Sequence, residues 1–290
     1  LENYLIDKVD DKDQIFLDDK PLSIEENIFF STFINIESNT NYNIIFEENS
    51  VNSYDFDNNN YATNVLDPYY EVKERFIRGR RIVELIINPF RFNSDLNKID
   101  IINEISINIE FLDESKSIEE PSRKYSRSFD KLINNISLNG VDLNRDWEYQ
   151  TPSILYICDP DVETNPYLQA LINWRKQQGY EATLVTTDET GNSTYSIKSF
   201  IEEAYFEWEN PPEFLCFIGD ANGDVSIPTY DVAQEGGGWD PAHGESDYPY
   251  TLIEGGDDDI FPEMFVGRIS VRSSTELSTI ANKIIGYEKA

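Results

Sequence analysis

The apolar positions of this chain change their period partway along it. Up to about residue 113 they come as short alternating or β-branched runs, such as Ile28 to Ile34, Tyr42 to Phe46, Arg81 to Ile87 and Ile105 to Phe111. Asn-, Asp- and Ser-rich stretches lie between them. Alternation with period two predicts strands with one buried face. Pro89 stops the third run, because proline cannot donate to a strand ladder. The pattern predicts an antiparallel, sandwich-like β domain over residues 1–120.

From Ser153 onward the period becomes that of alternating strands and helices. Ile154 to Cys158 reads as a short buried strand. A helix follows, with Asn165 as cap, Pro166 in its first turn and Gly179 at its end. Leu168, Leu171, Ile172 and Arg175 share one stripe of it. Glu181 to Thr186 is the next strand. A second helix carries Ile197, Phe200, Ile201, Ala204, Tyr205 and Trp208, and Pro211 and Pro212 end it. Two more apolar strands, Phe214 to Ile218 and Met264 to Ile269, precede a last helix. Ser273 and Glu276 give that helix a capping-box pattern, with Leu277, Ile280, Ala281 and Ile284 inward. Such alternation predicts a mainly parallel sheet over residues 151–290, with right-handed crossovers and ligands gathered at the carboxyl ends of its strands.

Residues 121–150 separate the two patterns. Pro121 to Ser128 is polar and carries a basic cluster, and Phe129 to Ile136 has room for one or two helical turns. The stretch reads as a linker open to cleavage after Arg or Lys, or as an ordinary solvated connector.

Charge narrows the function classes. The 290 residues hold 23 Lys and Arg against 55 Asp and Glu, a formal net charge of -32. Phosphate contacts need a basic surface, so nucleic acid and anionic membranes are excluded as partners. With 13% aromatics the chain is no disordered acidic tail. No apolar run is long enough to span a bilayer. No signal peptide is visible, and a first residue of Leu1 in place of Met suggests that one was removed or never cloned.

Candidate chemistry is dominated by oxygen donors. Asp220 ends one strand, and Asp259, Phe261 and Glu263 stand at i, i+2 and i+4 just before the next. The two strands are expected to bring these carboxylates to one end of the sheet. Alternate residues of an extended segment turn the same way, so Asp259 and Glu263 can offer carboxylates and Phe261 its carbonyl. Asp257, Asp258 and the backbone near Gly256 can complete a shell of hard oxygens of the kind calcium takes. The plainer reading is an acidic loop that stays in water. Cys158 and Cys216 each sit in an apolar run, which predicts two buried thiols acting as small hydrophobes; a mutual disulfide needs neighbouring strands. His243, the only histidine, lies in a loop reading. The glycines 236–238 lack the lysine and helix start of a phosphate loop. Asp220 with Asp159 and Asp161 imitates a phosphate-accepting receiver domain, but no lysine follows the strand ending at Ile269.

These residues, taken in order, resemble the gingipain family of cysteine peptidases. The likeness runs through Leu171 to Tyr180, Ala204-Tyr205 with Trp208 to Pro212, Ile218 to Ala221, Ser246 to Tyr248, Asp258 to Glu263 and Val266 to Ser270. Upstream, Phe76 to Arg81 through Pro89 is similar to the family's propeptide. The resemblance implies a secreted or cell-surface zymogen. Residues 1–120 would be a β-rich propeptide domain, 121–150 the activation region and 151–290 the first of two caspase-like α/β subdomains, with the mature enzyme starting between Arg123 and Gln150. It implies a peptide or protein substrate, possible cleavage after Arg or Lys, and a second subdomain beyond residue 290 that carries the catalytic histidine and cysteine. It implies calcium on Asp220, Asp259, the Phe261 carbonyl and Glu263, with Gly256 or Asp257 adjoining. The rival reading is a secreted calcium-binding scaffold that has the α/β subdomain without the chemistry.

Overall fold

The computed structural model describes residues 4–9, 12–17, 20–21, 30–37, 40–56, 70–93, 96–112, 124–233, 243–255 and 259–290. The chain divides into two compact units. The first comprises residues 1–75, 80–120 and 133–141, and the second residues 76–79, 121–132 and 142–290.

The first unit is built from antiparallel strands. A three-stranded sheet joins β1 (Tyr4–Val9), β2 (Lys12–Leu17) and β3 (Lys20–Pro21). A second sheet has β4 (Phe30–Ile36), and a third has β5 (Asn41–Asp55). The second is completed by β6 (Tyr70–Ile77) and β7 (Arg80–Ile87), in the order β4-β7-β6. The third adds β8 (Phe90–Asn93) and β9 (Lys98–Leu112), in the order β5-β9-β8. Ile34, Ile36, Val83 and Leu85 from the second sheet pack against Tyr42, Ile44, Phe46, Ile107 and Ile109 from the third. The alternation of β9 is thus used as expected, with Ile105, Ile107 and Ile109 half-buried and Ser106, Asn108 and Glu110 exposed.

Helix α1 (Arg127–Ile136) occupies the stretch read as a linker. The second unit then alternates: β10 (Ser153–Cys158), α2 (Pro166–Gln177), β11 (Glu181–Thr186), the short α3 (Thr187–Thr190), α4 (Thr194–Glu207) and β12 (Phe214–Ile218). A small hairpin of β13 (Tyr230–Ala233) and β14 (His243–Ser246) follows, then β15 (Phe265–Ile269) and α5 (Ser274–Lys289). The four-stranded sheet has the order β11-β10-β12-β15, and every pairing in it is parallel.

Both faces of that sheet are covered, which is why its strands read as continuous apolar runs. Leu155, Ile157, Leu215 and Phe217 face Ile197, Ile201 and Tyr205 of α4. Ile154, Tyr156, Cys158 and Ile218 face Leu168 and Ile172 of α2 and Leu277 of α5. Each such full burial contributes about 1.5–3 kcal/mol. The predicted ends of α2 hold: Asn165 Oδ1 accepts from the amides of Tyr167 and Leu168, and Gly179 takes φ 94°, a left-handed conformation that suits glycine. The last helix departs from its expected capping box. Ser273 Oγ accepts from Glu276 N, but the Glu276 carboxylate accepts from Arg272 N, one residue before the cap. His243 begins a short strand and is not in a loop.

Candidate functional site

The residues singled out in the sequence fall at opposite edges of the parallel sheet. β12 and β15 lie side by side with Phe214 beside Phe265 and Ile218 beside Ile269. Asp220 follows β12 and stands at the carboxyl edge. Glu263 precedes β15 and stands at the amino edge. Five residues of strand lie between, on the order of 16 Å at ~3.3 Å per residue. The expectation that both strand ends present carboxylates at one end of the sheet is therefore corrected. In a parallel pair, the residue leaving one strand and the residue entering the next are at opposite edges. Asp220 is not brought to Asp259 and Glu263, and the described residues contain no group of three or more His, Cys, Asp or Glu able to hold a metal.

At the carboxyl edge the carboxylates are matched by arginines. Asp220 Oδ1 accepts from Ser270 Oγ (2.7 Å) and Ala221 N (3.0 Å), and Oδ2 accepts from Arg272 Nε. The Arg272 guanidinium holds the Asp220 carboxyl down at about 2. Beneath it, Arg268 makes a two-pronged pair with Asp247, Nε to Oδ2 at 2.8 Å and Nη2 to Oδ1 at 2.7 Å. Arg268 Nη1 also donates to the carbonyls of Gly219 and Ile227, each at 3.0 Å, and the guanidinium lies over the Phe217 ring. One side chain thus ties β15 to the loops after β12 and β14.

At the amino edge the carboxylates are buried. Glu263 is 0% exposed. Its Oε2 accepts from Ile253 N at 2.7 Å, while Oε1 has no hydrogen-bond partner among the described residues. Burial pushes its carboxyl up to about 8, and the neighbouring Glu254 and Asp259 push the same way. Asp259 closes its own turn, Oδ1 accepting from Phe261 N (3.0 Å) and Oδ2 from Gly255 N (3.1 Å). Lys198 Nζ donates to the carbonyls of Pro249 (3.0 Å), Tyr250 (3.3 Å) and Leu252 (2.5 Å). Its burial lowers its pKa, and Glu202, Glu263 and Asp259 oppose that shift. An orphaned buried carboxylate oxygen calls for a proton or a cation, so Glu263 fits a hard ion on that count, while both Asp259 oxygens already accept from backbone amides. Gly256, Asp257 and Asp258 lie outside the described residues, as do the glycines 236–238.

The two thiols are free. They lie on adjacent strands, but Cys158 is beside Ile218 and Cys216 is beside Tyr156, two positions out of register for a bridge. Burial pushes both thiols up to about 12. A cavity of about 380 Å³ lined by Tyr156, Arg175, Cys216 and Phe265 opens on the α2 and α5 side. Its guanidinium is already taken, since Arg175 donates to both oxygens of Glu288.

Sequence reasoning passed over Arg268, Asp247 and Arg78 as individual residues. Arg268 had a signal: a charge inside an apolar strand must find a partner. Asp247, 21 residues away, had none.

Residues 148–290 match peptidase family C25. The Lys-gingipain of Porphyromonas gingivalis is 28% identical over 224 residues, which is 74% of this chain and 12% of that protein, and Lys-gingipain W83 of the same organism gives the same figures. The chain therefore spans about an eighth of the length of these relatives. A solved protease structure aligns at 27% identity with a TM-score of 0.40, over 48% of this chain and 28% of that one. A complex of the pro- and mature domains of Porphyromonas gingivalis RgpB aligns at 21% identity and TM-score 0.40, over 47% and 29%. Among the described residues no helix is long and apolar enough to cross a membrane. Residues 148–290 are thus a peptidase family C25 region, and the chain around them is similar to the Lys-gingipains.

Proposed function

We propose that this chain is the N-terminal part of a secreted, gingipain-like cysteine endopeptidase zymogen that acts on protein substrates, with the β unit as inhibitory prodomain and the α/β unit as a calcium-stabilised scaffold. The observation that carries this is the family C25 match over residues 148–290, which coincides with the α/β unit from residue 142 onward. A peptidase of this class attacks the substrate carbonyl with a thiolate while a histidine handles the proton. Neither Cys158 nor Cys216 suits that role, because a thiol raised to about 12 is not ionised at neutral pH. The catalytic pair would then be supplied from outside residues 1–290.

Calcium, when bound, would supply charge neutralisation and loop stability, not bond-making chemistry. Asp259 and Glu263 would hold it, with the Phe261 carbonyl and the neighbouring Gly256 or Asp257; Asp220, already paired with Arg272, would not. What supports this is the unpartnered Glu263 Oε1 in a fully buried carboxylate.

The test uses the intact parent. Limited proteolysis between residues 113 and 150 should release activity on peptides containing Arg or Lys. A purified parent that is never processed, and that cleaves no such peptide after the cut, overturns the peptidase reading and favours a non-catalytic scaffold.

A further inference from the structure

The dipeptide Asn-Gly occurs at Asn139-Gly140 and again at Asn222-Gly223. In this dipeptide the backbone can attack its own side chain. Glycine has no Cβ to shield its amide nitrogen, and it leaves the chain free to turn. The glycine nitrogen can then reach Cγ of the asparagine before it. The fold treats the two pairs differently.

Asn139 is locked. Its Oδ1 accepts from Asn35 N and its Nδ2 donates to Asn35 O, each at 2.8 Å. The attacking atom is engaged too, because Gly140 N donates to Ser137 Oγ at 3.1 Å. Gly140 O accepts from Asn35 Nδ2 at 3.0 Å, so β4 grips both residues of the pair. A Cβ placed on Gly140 would strike Asn134 Oδ1, so there is no room for the rearrangement either.

Asn222 is open. It lies in the loop that follows β12. The base of that loop is pinned by Asp220 N donating to Val225 O (3.1 Å) and by Ile227 N donating to Asp220 O (2.9 Å). Asn222 and Gly223 are both exposed. Gly223 has φ 106°, and nothing lies within 4 Å of the place a Cβ would take. Among the described residues Gly223 N has no acceptor. The Asn222 side chain is held by one contact among them, Nδ2 donating to Glu245 Oε1 at 3.2 Å. That contact ties the loop to β14, where Glu245 stands opposite Asp231 of β13.

We propose that Asn222-Gly223 is a self-modification site whose conversion turns this tie into a repulsion. Gly223 N gives up its proton and bonds to Asn222 Cγ. The bond from Cγ to Nδ2 breaks, and ammonia leaves with that proton. Water then opens the resulting cyclic imide at either carbonyl. Opening at Cγ leaves an aspartyl residue at position 222. Opening at the backbone carbonyl leaves an isoaspartyl residue, with one more methylene in the main chain. Water is the only co-reactant. Either product sets a carboxylate in place of the donor that faced Glu245, in a loop that already holds Asp220 and Asp224. The β13–β14 hairpin thereby loses its tie to the carboxyl edge, where ligands of parallel sheets gather. The change runs one way, so it records the age of the folded protein. It does not depend on the peptidase reading.

The experiment incubates the folded protein at neutral pH and maps both dipeptides by mass spectrometry, with isoaspartyl methyltransferase labelling to identify the isomer. Asn222 should convert at least tenfold faster than Asn139. In guanidinium chloride the two should convert at similar rates, because the protection of Asn139 belongs to the fold. Folded protein in which Asn222 converts no faster than Asn139, or an Asn139 that lags equally in denaturant, overturns the site. The consequence is read by amide hydrogen exchange. Asn222→Asp should speed exchange in the β13–β14 hairpin about fivefold, the scale of one lost hydrogen bond. Adding Glu245→Gln should restore the slow rate, since glutamine can donate to the new carboxylate. Exchange unchanged by Asn222→Asp, or not rescued by Glu245→Gln, overturns the switch.

Discussion

The two edges of the parallel sheet treat acidic side chains in opposite ways. At the carboxyl edge, Asp220 and Asp247 each meet an arginine, and their charge is balanced within the fold. At the amino edge, Glu263 is buried with one oxygen unpartnered among the described residues, and its carboxyl is pushed up to about 8. Both edges were rich in carboxylates along the sequence. The difference teaches that the environment of an acidic residue depends on which strand end it occupies, not on its being at a strand end.

The largest effect should come from breaking the balanced edge. Arg268→Met leaves the half-buried Asp247 without its partner and frees the carbonyls of Gly219 and Ile227. It should cost about 3 kcal/mol, as loss of one member of a buried pair does, read as a lower urea midpoint.

The next sharpens the unbalanced edge. Glu263→Gln keeps an oxygen for Ile253 N and removes the cost of protonating a buried carboxyl whose pKa is pushed up to about 8. In chelator at neutral pH it should be the more stable protein by about 1 kcal/mol. Calcium should raise the melting temperature of wild type and leave the variant unmoved. A variant that responds to calcium like wild type breaks the contrast between the edges.

A smaller effect belongs to the α2–α5 contact. The Arg175 guanidinium holds the Glu288 carboxyl at about 2. A depressed folded pKa contributes stability above the ordinary carboxylate value of 4.5, and that stability is lost as pH falls from there toward about 2. Glu288→Gln should cost about 0.5–1 kcal/mol at neutral pH, since the pair is partly exposed. Thermal melts from pH 6 to 2 should show a shallower acid decline for the variant.

The smallest change is expected from Asp220→Asn. If calcium belongs to the amino edge, its effect on melting should be the same in this variant as in wild type. A lost calcium response would return Asp220 to the ion site.

Much of the fold was legible because it depends on local period. The sheet of β10, β11, β12 and β15, and the ends of α2, follow from apolar runs, Asn165, Pro166 and Gly179. The capping of α5 was half legible: Ser273 acts as read, while Glu276 reaches Arg272 N, a choice made by side-chain geometry. The site was less legible. The i, i+2, i+4 spacing of Asp259, Phe261 and Glu263 was informative about one short segment, but it said nothing about which edge Asp220 would share.

By itself the sequence determined a β unit followed by a parallel α/β unit, two inert thiols and the family resemblance, because each depends on neighbours a few residues apart or on composition. Only the tertiary structure decided which edge each carboxylate occupies, that Asp220 is held by Arg272 and Asp247 by Arg268, and that Arg78 completes a unit that otherwise begins at residue 121. Those pairings join residues as much as 185 positions apart. Strand direction and chain crossing set them, and neither leaves a local mark in the pattern of side chains.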